Sequence, residues 1–127
     1  MTEELPLSRR ERQIMDIVFR RREVAVSDVL EELPDPPSYS AVRALLRILE
    51  EKGHLEHRQD GPRYVYRATV PRTQARDQAL TRVLETFFEG STEKAVAALL
   101  DRSAGSLDED ELERLSTLID RARREGR

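Results

Sequence analysis

Arg43 and Arg47 stand one helical turn apart in the run Ser40-Ala41-Val42-Arg43-Ala44-Leu45-Leu46-Arg47, among the small side chains Ser40, Ala41 and Ala44. A guanidinium is a rigid fork of donors. Between small neighbours it can approach another surface closely enough to meet phosphate oxygens or the O6/N7 edge of guanine. Three more arginines, Arg58, Arg63 and Arg67, follow, so Ser40 to Arg67 holds six basic side chains, with Lys52 the sixth, against four acidic ones, Glu50, Glu51, Glu56 and Asp60. The whole chain carries 22 Lys/Arg, 25 Asp/Glu and a formal net charge of −3, which argues against a generally basic nucleic-acid coat and leaves only a local patch. Each arginine also has an ordinary reading: a solvated helix charge for Arg43 and Arg47, or edge-strand protection for Arg58, Arg63 and Arg67.

Other chemistry is poorly supplied. His54, Glu56 and His57 lie close together but straddle a helix end and a strand start, with no third ligand in a metal-binding spacing, so no metal site is expected. The absence of cysteine excludes disulfides, thiolate zinc sites and cysteine nucleophiles. The five glycines sit singly at positions 53, 61, 90, 105 and 126, so neither a phosphate-cradling loop nor a nucleophile elbow is present. The carboxylates from Asp108 to Glu113 suit the acidic first turn of a helix better than acid/base catalysis. No cofactor and no enzymatic activity are expected.

The elements that must position the arginines can be read from periodicity. Ser8-Arg9-Arg10-Glu11 has capping-box spacing ahead of Ile14, Ile17 and Val18, with Leu7 placed to staple it, so a helix is predicted from about 8 to 22. Val26, Val29, Leu30 and Leu33 repeat the pattern behind a candidate cap at Ser27, and Pro34-Asp35-Pro36-Pro37 stops it. Ser38 or Ser40 then caps a third helix whose stripe is Val42, Leu45, Leu46 and Leu49, ending at Lys52-Gly53. Opposite that stripe lie Ser40, Ala41, Arg43, Ala44 and Arg47. From Leu55 to Ala68 the pattern is that of a hairpin turning at Asp60-Gly61-Pro62. Tyr64 and Tyr66 are expected on one face as an aromatic packing surface, with Arg63, Val65 and Arg67 on the other. After Pro71 come three amphipathic helices: Leu80, Val83, Leu84, Phe87 and Phe88; then Ala95, Val96, Leu99 and Leu100; then Leu112, Leu115, Leu118 and Ile119.

A chain of 127 residues is about one domain's worth, with only 5% aromatic residues to build a core. The expected fold is mainly α with a small β-wing: a winged helix-turn-helix domain over residues 1–70, followed by a three-helix dimerisation region over 71–127. In that layout the third helix is sized for the major groove. The last 57 residues are marginal as a lone domain. Their apolar stripes either pack back on the winged module or pair with a second copy, and pairing is the expectation because a two-fold dimer also doubles the phosphate contacts. No stretch approaches the roughly 18 apolar residues of a membrane span, and the opening Met-Thr-Glu-Glu lacks the features of a secretory signal. No membrane insertion and a cytoplasmic location are expected.

The segments Tyr39 through Arg47, Leu49-Glu50-Glu51-Lys52-Gly53, and Gly61 through Tyr64-Val65-Tyr66 resemble the BlaI/MecI penicillinase-repressor family. Leu7 to Phe19, and Phe87-Phe88-Glu89-Gly90 ahead of a helix, extend the resemblance over nearly the whole chain. It implies a homodimeric winged-helix repressor that binds palindromic operators in double-stranded promoter DNA and dimerises through its C-terminal helices. It assigns Ser40, Ala41, Arg43, Ala44 and Arg47 to groove-facing positions and Arg63 to the wing. With Ser38, Tyr39, Arg58 and Arg67 these make up the candidate DNA-binding set. Relatives are released when a membrane-bound sensor protease, or its signalling product, causes cleavage in the fifth helix, usually at an Asn-Phe pair. The aligned pair here is Ala98-Leu99, the candidate cleavage region, and it departs from that pattern. Two readings from other classes stay open: a small-molecule-responsive winged-helix regulator, and a protein-binding adaptor that ignores DNA.

Overall fold

The computed structural model describes residues 7–126. Its described elements run α1 (Arg9–Arg21), α2 (Val26–Glu32), α3 (Tyr39–Glu51), β1 (Leu55–Asp60), β2 (Arg63–Ala68), α4 (Arg72–Phe87), α5 (Thr92–Arg102) and α6 (Glu109–Arg124). Three helices and a two-stranded antiparallel wing, then three more helices, make a mainly α winged-helix fold. The chain divides into two compact units, Met1–Asp77 and Gln78–Arg127, and the division falls inside α4.

In the first unit the helix ends follow local chemistry. Ser8 Oγ accepts from the Glu11 amide at 3.2 Å while the Glu11 carboxylate accepts from the Ser8 amide at 2.7 Å, the reciprocal box expected for α1. Glu11 is only 3% exposed, and its side chain also accepts from Lys52 Nζ at 2.9 and 3.0 Å. The start of α1 is thus tied to the C-cap of α3. Burial pushes the Glu11 carboxyl up, but the Ser8 amide and Lys52 outweigh burial and hold it below its ordinary value.

The cap of α2 differs from expectation. Ser27 lies inside the helix, and the N-cap is Ala25, whose amide donates to the Asp28 carboxylate at 2.8 Å. The cause is tertiary: Val24 and Tyr66 exchange both backbone hydrogen bonds, at 2.9 and 2.7 Å, which extends the chain just before Val26. Reaching that bridge from α1 sets Arg22 at a φ of 77°, a left-handed conformation that an L side chain adopts only at a cost. Ser38 caps α3, its hydroxyl accepting from the Ala41 amide at 3.2 Å. The preceding turn is held to α1 by Arg10, which donates to the carbonyls of Pro34 and Asp35 at 2.7 and 2.6 Å.

The core of this unit gathers Ile14, Val18, Val29, Val42, Leu46 and Leu49 from the helices with Leu55 and Tyr66 from the wing. Gly61, at a φ of 62°, supplies the positive dihedral that a two-residue hairpin loop requires. The expected burial of the wing needs correction. Tyr64 is 46% exposed, whereas the neighbours Val65 and Tyr66 are 5% and 7% exposed. Tyr66 packs into the main core because Val24 joins the open edge of β2 at that residue, and Val65 is covered outside that cluster.

The second unit has well-made helix ends and, among its described residues, no buried core. Ser91 caps α5, and an Asp108–Glu111 box opens α6, whose first turn is acidic and last turn basic, as the helix dipole favours. None of the described residues of α4, α5 or α6 is buried. Leu80, Val83, Leu99, Leu112, Leu115, Leu118 and Ile119 are all exposed, and Phe87 is 74% exposed. Leu84 and Phe88 are half-buried.

Candidate nucleic-acid interface

Helix α3 spends one side on the core through Val42, Leu46 and Leu49. Its opposite side presents Ser40, Arg43 and Arg47 exposed, with Ala41 and Ala44 half-buried between them. Ser38 and Tyr39 stand exposed at the helix start. The outer face of α3 and one face of the wing enclose an open groove of about 650 Å³. Arg43, Arg47 and Glu50 line it from the helix, and His57, Tyr64 and Tyr66 from the wing.

Strand register separates the candidate arginines into two groups. Cross-strand partners share a face, and the pairs are Glu56 with Arg67, Arg58 with Val65, and Asp60 with Arg63. All three wing arginines therefore lie on the side away from His57, Tyr64 and Tyr66, and they do not meet Arg43 and Arg47 in the groove. Each is engaged by an acid: Arg58 with Glu23 at 2.9 Å, Arg63 with Asp60 at 3.3 Å and Arg67 with Glu56 at 2.6 Å. Arg47 reaches Glu51 at 3.8 Å along α3. Among the described residues Arg43 alone of these five makes no ion pair, and its charge acts on Tyr66. Burial pushes the Tyr66 phenol up, Glu50 adds to that and Arg43 opposes it.

The groove contains five residues absent from the expected DNA-binding set, Glu50, Glu51, His57, Tyr64 and Tyr66. His57 Nδ1 lies 2.7 and 2.8 Å from the two carboxylate oxygens of Glu50, and its ring stacks on Tyr64 with centroids 4.3 Å apart. The weak metal cluster is thereby dispersed: His57 turns to Glu50, Glu56 to Arg67, and His54 keeps a buried Nε2 without a partner. The available signal was alternation from Leu55, which puts His57 on the inward face of β1. Among the described residues no group of three His, Cys, Asp or Glu side chains could hold a metal ion. Nor is any helix there long and apolar enough to cross a membrane. Ala98 and Leu99, the candidate cleavage pair, lie in the middle of α5, with Leu99 exposed.

A curated relative, an uncharacterised 16.5 kDa protein in the ptsI 3′ region of Latilactobacillus sakei, is 28% identical over 109 residues, covering 84% of this chain and 73% of that protein. Two solved structures are similar in fold. BpsR of Bordetella bronchiseptica, whose DNA binding is regulated by 6-hydroxynicotinic acid, matches with a TM-score of 0.47 and 14% identity over 93% of this chain and 83% of that one. TrmBL2, an archaeal chromatin protein described as showing a novel mode of DNA binding, matches with a TM-score of 0.43 and 20% identity over 81% of this chain and 38% of that one. Both scores are low, and the winged-helix assignment rests on the helices and hairpin themselves. A family model described as penicillinase repressor matches residues 7–121, from just before α1 into α6. A match of that span over a three-helix module, its wing and its helical tail means that the chain belongs to the penicillinase repressor family of DNA-binding transcription regulators.

Proposed function

We propose that the protein is a cytoplasmic homodimeric repressor that seats α3 in the major groove of a palindromic promoter operator. The observation that supports this most directly is the outer face of α3. Arg43 and Arg47 are exposed between small residues while the opposite stripe is buried, and Arg43 is not claimed by a carboxylate among the described residues. Arg43 is the principal base or phosphate contact in this reading, with Ser38, Tyr39, Ser40, Ala41, Ala44 and Arg47 around it. Arg58, Arg63 and Arg67 contribute phosphate contacts from the wing's outer face by exchanging their carboxylate partners for phosphate, which limits how much each one adds.

Dimerisation uses Leu80, Val83, Leu84, Phe87 and Phe88 of α4, Leu99 of α5, and Leu112, Leu115, Leu118 and Ile119 of α6. Exposed apolar stripes on three successive helices support a second copy as their cover. A bound dimer blocks transcription by occupying the promoter. Release follows a signal that lowers dimer or DNA affinity. If a sensor protease delivers it, the cut at Ala98-Leu99 requires α5 to open locally, because a helix interior does not fit a protease cleft.

Footprinting the full-length protein on the promoter of its own gene tests this reading. A protected palindrome is expected, with affinity falling steeply as salt rises. Arg43→Ala should weaken binding by about 1–3 kcal/mol and relax the sequence preference at one position in each half-site. An unprotected promoter, or an Arg43→Ala protein with full affinity, would overturn the assignment.

A further inference from the structure

The α3–wing groove has an electrostatic difficulty as a DNA-facing surface. Arg43 and Arg47 bring two positive charges, and Glu50 and Glu51 bring two negative ones, so with a neutral imidazole at His57 the groove carries no net charge. A phosphate backbone gains little from such a surface. Glu50 is the more awkward of the two acids. Glu51 has Arg47 as its neighbour, whereas among the described residues Glu50 pairs only with His57, held through Nδ1 at 2.7 and 2.8 Å. An Nδ1–H donated to that carboxylate leaves Nε2 as the ring's second nitrogen, and Nε2 makes no hydrogen bond with the described residues. The stack on Tyr64, and Tyr66 at a centroid distance of 5.7 Å, keep the ring in place against the groove.

We infer that Glu50 and His57 form a proton-linked DNA contact, in which protonated His57 meets a phosphate and Glu50 is the residue that positions it. This inference rests on the DNA-binding reading above. Protonation cancels the Glu50 charge, leaves the groove with one net positive charge, and turns Nε2 into a donor. By linkage, a phosphate that favours the charged ring raises proton uptake, so DNA binding tightens as pH falls.

The other charged and titratable groups facing His57 are Arg43, Arg47, Glu50 and Glu51 from α3 and Tyr64 and Tyr66 from β2. On the opposite face of β1, Glu56 and Arg58 are engaged with Arg67 and Glu23. Imidazole is the side chain that ordinarily titrates between pH 5 and 8. The second histidine, His54, does not line the groove and serves as the internal control.

The experiment is equilibrium binding of the full-length protein to a duplex of its own promoter, from pH 5.5 to 8 at constant ionic strength. The wild-type protein should bind about three- to tenfold more tightly per protomer at pH 5.5 than at pH 7.5, tenfold per pH unit being the ceiling for one proton. His54→Gln should keep that slope and His57→Gln should remove it. Glu50→Gln should make the slope shallower, because the carboxylate that holds the ring through Nδ1 is gone; a merely structural role for Glu50 would shift affinity equally at every pH. His57→Lys, with a fixed charge, should bind tightly across the range without a slope. Tight binding that is flat with pH in the wild-type protein, or a slope that survives His57→Gln, overturns the inference and leaves the repressor reading standing. Absence of binding at every pH overturns the repressor reading itself.

Discussion

In Met1–Asp77, the amphipathic stripes of α1, α2 and α3 turn inward and meet the wing, so Ile14, Val18, Val29, Val42, Leu46 and Leu49 lose essentially all contact with solvent. In Gln78–Arg127, stripes with the same helical spacing remain open, and Leu80, Phe87, Leu99 and Ile119 are more than half exposed. The contrast teaches that periodicity establishes which face of a helix needs cover and leaves open what provides it. Each stripe of the first unit finds its cover within the same short segment, because the Val24–Tyr66 bridge and the Arg10 contacts close the module on itself. The second unit has good caps and a favourable charge gradient along α6, which secure helices without securing a core.

The strongest way to break this comparison is to truncate one leucine in each unit. Leu46→Ala should cost about 3 kcal/mol in chemical unfolding, through lost burial plus a residual cavity. Leu115→Ala, at a position already 37% exposed, should cost about 1 kcal/mol or less at a protein concentration where the chain is monomeric. Equal losses would show that the second unit possesses a core after all. Next in size is the effect of charge on the open stripes. Phe87→Asp or Leu115→Asp should weaken self-association by about 2 kcal/mol, roughly 30-fold in the dimer dissociation constant, as read by sedimentation equilibrium. A mass unchanged by either variant would remove the second copy as the cover.

The third effect sharpens the electrostatic side of the contrast. The Glu11–Lys52 pair is sheltered, whereas Lys94–Glu89 and Arg123–Asp120 in the second unit are exposed and contribute little. Lys52→Met leaves the Glu11 carboxylate buried with, among the described residues, only the Ser8 amide and hydroxyl near it. The expected loss is about 2 kcal/mol at neutral pH, below the usual range for a broken buried pair because Lys52 is partly exposed. The folded-state pKa of Glu11 is depressed below its ordinary value of 4.5, so the stability it contributes is present above about pH 4.5 and disappears as pH falls through the lowered folded value. Thermal unfolding followed from pH 7 to pH 3 should show that decline in the wild-type protein and a shallower one in Lys52→Met. Indistinguishable profiles would assign the acid response to other carboxylates.

Much of this molecule is written in short-range chemistry. The Ser8–Glu11 box, the Ser38 cap, the Gly61 turn and the 3.6-residue stripes act over a few positions, so helix order, wing and the arginine face of α3 could be read from residue types and spacing. The match of residues 7–121 to one family reflects the same ordered set of local signals. Contacts between residues distant in sequence were not legible in that way. Val24 pairing with Tyr66 moved the α2 cap from Ser27 to Ala25 and helped bury Tyr66 but not Tyr64. Strand register turned Arg58, Arg63 and Arg67 towards acids on the far side of the wing, and the closing of α3 on β1 set His57 against Glu50. Those outcomes depend on how elements pack and which edges they share, quantities that no window of neighbouring residues contains.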